Sequence, residues 1–76
     1  MSSVSVEEAQ EILKNENEEF ARIYRRHREL DEKVSALEEL HHLTPEEEIQ
    51  KKTMKKDKLR LKDKMAEMID EYRASR

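Results

Sequence analysis

The chain has no cysteine, no glycine and no tryptophan, one proline, and only three aromatic residues, Phe20, Tyr24 and Tyr72. Without cysteine it forms no disulfide and offers no thiolate as nucleophile or metal ligand. Without glycine it has no loop of the kind that lets backbone amides close around a phosphate. No apolar run approaches the roughly 20 residues needed to span a bilayer. The start, Met1-Ser2-Ser3-Val4, has neither a basic n-region nor an apolar h-region. No export signal is read there, and a reducing cytoplasm is the expected compartment.

What is present is helix composition. Of 76 residues, 46% are charged, and Glu, Lys, Arg, Leu and Met are strong helix formers. Low hydropathy and dense charge also suit a disordered chain. The spacing of the apolar residues argues for order instead. Val6, Ala9, Leu13, Glu16, Phe20, Ile23, His27, Leu30, Val34, Leu37 and His41 alternate steps of three and four without a slip. Such alternation is a coiled-coil seam, which needs a partner helix.

Local signals set the expected boundaries. Ser5-Val6-Glu7-Glu8 reads as a capping box that starts helix 1, with the acids at the positive end of the dipole. The seam predicts one helix over about residues 5–41, with a weak point at Asn15-Glu16-Asn17, where an asparagine offers a fresh cap. Thr44-Pro45-Glu46-Glu47 is the strongest signal: N-cap, proline at the first helical position, acidic first turn. It predicts a corner over 42–44 and helix 2 over about 45–73. Met54, Lys58, Leu61, Met65, Met68 and Tyr72 keep the three-four step there, with Ile49, Leu59 and Ile69 on the flanks. A short link forces antiparallel neighbours. The expected fold is therefore all-α: one domain over 1–76, an antiparallel two-helix hairpin of coiled-coil type, assembling into a helical bundle.

In a hairpin cornered near residue 43, facing residue numbers sum to roughly 86. Phe20 then meets Met65 and Met68, Leu37 meets Ile49, and residues 1–10 overhang the pair, free for another chain. Below about 70–80 residues a single core supplies only about 3–5 kcal/mol and needs a staple. With disulfides excluded, oligomerisation is the expected one. The residues assigned to core and self-association are Leu13, Phe20, Ile23, His27, Leu30, Val34, Leu37, Met54, Leu61, Met65, Met68 and Tyr72.

These residues resemble the YdcH-like family of small bacterial proteins, known mainly as a domain of unknown function. The resemblance covers roughly Phe20 to Tyr72. Its first half is the spacing Phe20, His27, Leu30, Asp31, Val34, Leu37 and Glu38. Its second half is the run from Met54 to Met65, which is similar to the family's LKKxKLxLKDxI stretch, with Met54 in place of the usual Leu and Met65 of the usual Ile. The resemblance implies a compact, oligomeric helical hairpin with no established activity and supplies no catalytic residue.

The remaining constellations point to contact rather than chemistry. Lys51 to Lys64 holds eight bases and two acids, a density that suits a polyanion. The bases are spread around the helix, however, and no aromatic stands among them to stack a base. Solvation and pairing with acidic helix 1 is the expected role, and nucleic-acid binding is the alternative. The charge balance agrees: residues 1–40 carry eleven acids and six bases, residues 41–76 eight acids and ten bases. Arg22, Arg25, Arg26 and Arg28 are expected to pair with nearby carboxylates.

His27, on the seam with Asp31 one turn away, is expected to hydrogen-bond that carboxylate and help set register. A protonation switch near neutral pH is the sharper alternative. His41 and His42 are adjacent, hence about 100° apart on a helix, and share no metal site easily. A two-layer hairpin is expected to have no pocket that would move one carboxylate pKa against another. The expectation is therefore no enzyme activity, cofactor, metal, membrane or small-molecule substrate. A homo-oligomer, dimer or higher, with some further protein partner, is expected instead.

Overall fold

The structure is a computed structural model that describes residues 4–75. It is all-helical: α1 (Val6–Glu16), α2 (Glu18–Glu38) and α3 (Pro45–Ala74). Of the capping box expected at Ser5, the N-cap half forms: Ser5 Oγ accepts from the Glu8 amide at 3.1 Å, without the reciprocal bond to the Glu8 side chain. Thr44 and Glu47 close a reciprocal capping box: Thr44 Oγ1 accepts from the Glu47 amide at 3.1 Å and Glu47 Oε1 from the Thr44 amide at 2.9 Å.

The expected single helix over 5–41 is corrected at both its middle and its end. Asn17 leaves helical geometry at φ −122°, ψ 112° and serves both neighbours. Its amide donates to the Leu13 carbonyl at 2.9 Å, closing α1. Its side-chain oxygen accepts from the Phe20 amide at 3.0 Å, opening α2. An asparagine at this point competes with the i−4 carbonyl for the same amide, and the cap contributes about 1 kcal/mol. At the other end α2 stops at Glu38. Its last turn holds no base, and Glu38 and Glu39 oppose the negative end of the dipole. His41 and His42 therefore lie exposed in a link longer than the expected corner.

α2 and α3 run in opposite directions. Glu38 pairs with Lys55, Asp31 with Lys58, and Phe20 clusters with Met65 and Ile69. Both ion pairs fall further along α3 than a corner centred on residue 43 sets. The third helix has no counterpart in the expected hairpin. α1 folds onto the open end of the pair, where Ala9 is fully buried and Leu13 is 7% exposed, in one cluster with Phe20, Met65 and Ile69. Arg73 Nε donates to the Val4 carbonyl at 2.9 Å, tying the two ends of the described chain together. The overhang free for another chain is thus corrected: α1 belongs to the core. Residues 1–3 of that overhang lie outside the described residues. The seam count also lapses where the helix does, leaving Val6 45% exposed and Glu16 in solvent.

Candidate interaction surface

The twelve residues assigned to core and self-association differ in burial. Leu13, Phe20, Leu30, Val34 and Met65 are buried; Ile23, His27, Leu37, Met54, Leu61, Met68 and Tyr72 are half-buried. Met68, Tyr72 and Ile23 pack against the Phe20 cluster, and a shallow groove brings Leu13 beside Tyr72. Two core members fall outside that set. Ala9 is small, and its burial depends on the turn at Asn17. Ile69 reads as a flank of the seam, yet it lies one turn from Met65 and is 6% exposed. The signal that finds it is the width of the apolar stripe, which serves α1 as well as α2.

Where the three helices approach one another, a groove of about 590 Å3 is lined by both polar and apolar side chains, including Gln10, Tyr24, His27, Asp31 and Lys58. The expected His27–Asp31 hydrogen bond is replaced. Asp31 accepts from Lys58 Nζ at 2.8 Å. An ammonium on a long stem reaches the carboxylate across the helix pair and brings a full charge. Lys14 bridges α1 to α2, its ammonium 4.6 Å from the centre of the Tyr24 ring and 3.2 Å from Glu11. The arginine cluster pairs along its own helix, Arg26 with Glu29 at 3.3 Å and Arg28 with Glu32 at 4.0 Å. All four side chains of these two pairs are exposed, so each pair contributes at most about 1 kcal/mol.

The electrostatics fix a direction of pH dependence. Burial, helped by the Lys58 and Lys62 charges and opposed by Asp31, holds the His27 pKa below its ordinary value. Asp31 is held low by the hydrogen bond and charge of Lys58, and Glu38 by those of Lys55. A native imidazole that resists protonation makes the unfolded chain the better proton acceptor, so stability falls as pH drops below about 6.5. The two carboxylates act in the same direction at lower pH. Their contribution is present above the ordinary carboxylate range and is lost as pH falls through their depressed values. Thermal melts followed by circular dichroism should therefore hold level from about pH 8 to 7 and fall steadily below about pH 6.5. A melting temperature that rises on acidification from pH 7 to about 5 contradicts this sign. In His27→Gln the first step should vanish while the carboxylate step remains.

On α3, Lys52, Lys56, Arg60 and Lys64 follow one another at four-residue intervals and are all exposed, whereas Lys55 and Lys58 are engaged with α2. At the Pro45 end, α2 and α3 leave a second groove of about 570 Å3, lined by side chains that include Leu37, Ile49 and Met54. Beyond the core, Leu40, Ile49 and Leu59 expose 48%, 65% and 58% of their surface. Among the described residues no group of three or more His, Cys, Asp or Glu is placed to hold a metal ion. Among them, too, no helix is long and apolar enough to cross a membrane.

No curated protein and no solved structure matches the chain. A family model described as "Protein of unknown function (DUF465)" matches residues 20–69, from the buried Phe20 to the buried Ile69. The matched span thus takes in all but the first two residues of α2, the link and most of α3, and it is consistent with the YdcH-like resemblance. The match covers more than half of the chain, which belongs to the DUF465 family, whose function is unknown.

Proposed function

We propose that the chain is a non-enzymatic, cytoplasmic helical module that self-associates into a helical bundle and serves as a small protein-interaction unit. The observation that carries this reading is apolar surface left outside the core. Leu40 and Ile49, both at the Pro45 end of the helix pair, stand in water on a chain that is 46% charged and has charged residues to spare for those positions. Side chains of this size, already about half covered, are worth roughly 1–2 kcal/mol each when a partner buries the rest. Sedimentation equilibrium over about 1–100 µM tests it. The expected mass is a multiple of 9.2 kDa, and a folded monomer throughout rejects the reading.

The second reading, polyanion binding through residues 51–64, draws its support from the exposed row Lys52, Lys56, Arg60 and Lys64. Against it stand the diversion of Lys55 and Lys58 into pairs with Glu38 and Asp31 and the net charge of −3. Anisotropy with a fluorescent oligonucleotide at about 50 and 200 mM salt separates the two readings. Steeply salt-dependent binding favours the polyanion, and none at the lower salt dismisses it.

A further inference from the structure

The two ends of the α2–α3 pair are finished differently. At the chain's open end α1 packs over Phe20, Met65 and Ile69. At the Pro45 end no third helix does so: none of the residues lining the 570 Å3 groove belongs to that cluster. The groove is bounded by Leu37, Ala36 and Lys33 from α2 and by Ile49, Thr53 and Met54 from α3, among other residues. Lys33 is the one charged side chain among its lining residues. We propose that a second copy of this chain occupies the groove. The two copies meet about a two-fold axis, and each α2–α3 pair closes the other into a four-helix layer. This rests on the self-association reading and adds where the copies meet.

Two observations favour a second copy. The first is area. The chain is a rod of 49 × 18 × 17 Å and exposes 5958 Å2. An average folded monomer of this mass exposes about 4,900 Å2. The surplus, about 1,000 Å2, is of the order of the roughly 800 Å2 per partner that a stable interface removes. The second is composition. A lining with one charge, on a chain where nearly half the residues are charged, matches the depletion of charge at the centre of interfaces. A patch that is apolar and carried by both copies is self-complementary under a two-fold axis, the commonest symmetry of soluble assemblies.

The test compares the full chain with Ile49→Glu, Thr53→Glu and Leu59→Glu by sedimentation equilibrium, with helicity measured on the same samples. Ile49 and Thr53 are exposed in the groove. Leu59 is equally exposed but lies about 140° around α3 from Met54, away from it. Ile49→Glu and Thr53→Glu should each weaken self-association at least about tenfold with helicity unchanged, and Leu59→Glu should leave association as it is. If the wild type associates and both groove variants associate equally well, the groove is the wrong face although self-association stands. If Leu59→Glu alone dissociates the assembly, the opposite flank is the interface. A wild type that stays monomeric to about 100 µM removes both this inference and the reading beneath it.

Discussion

Phe20→Ala is expected to abolish the folded state. Phe20 is fully buried and lies where all three helices meet, against Ala9 and Leu13 from α1 and Met65 and Ile69 from α3. Truncating such a side chain costs about 3–5 kcal/mol, through lost transfer energy and the cavity left behind. A core of this size supplies about 3–5 kcal/mol in total, so the variant has little or nothing in reserve. The ellipticity at 222 nm should fall to that of a largely unfolded chain at about 25 °C. Phe20→Leu, which keeps much of the volume, should remain folded with a lower melting temperature. An alanine variant that melts cooperatively within a few degrees of wild type contradicts the central place given to this residue.

Leu13→Ala should cost about 2–5 kcal/mol although it lies outside the family match. Were α1 detached from the α2–α3 pair, Leu13 would be an ordinary exposed position, where substitutions stay within about 0.5 kcal/mol. It is instead 7% exposed and packed with Phe20, Met65 and Ile69. In a domain of 60–100 residues 1 kcal/mol corresponds to about 4–8 °C, so the melting temperature should drop by at least about 8 °C. Alanine is the better helix former, which removes helix propensity as an explanation of the loss. An unchanged melt would return α1 to the status of an appendage.

The two variants also mark how far local sequence reaches. Thr44, Pro45 and Glu47 determine the start of α3 because the cap is made by groups three residues apart, all legible in the chain. The same holds for Ser5 and Glu8. The three-four spacing places Phe20, Leu30, Val34 and Met65 inside, since that spacing keeps them on one side of a helix whatever lies opposite. Asn17 is different. Its side chain is suited equally to a cap and to a tolerated place within a long helix, separated by only about 1 kcal/mol. Burial of Ala9 and Leu13 against α3, some fifty residues away, tips that balance.

The choice of partner for Asp31 is of the same kind. His27, four residues away, is visible as a neighbour on the helix, but Lys58 becomes a neighbour only when α3 is in place. Ile69 reads as a flank until α1 gives that flank something to face.

The sequence alone thus determined that the chain is helical, where α1 and α3 begin and which side of α2 is apolar, because these depend on interactions within one or two turns. The tertiary structure decided that there are three helices, that α1 belongs to the core and that Asp31 pairs with Lys58. Those outcomes turn on contacts between segments far apart in the chain, which together outweigh local preferences of only about 1 kcal/mol.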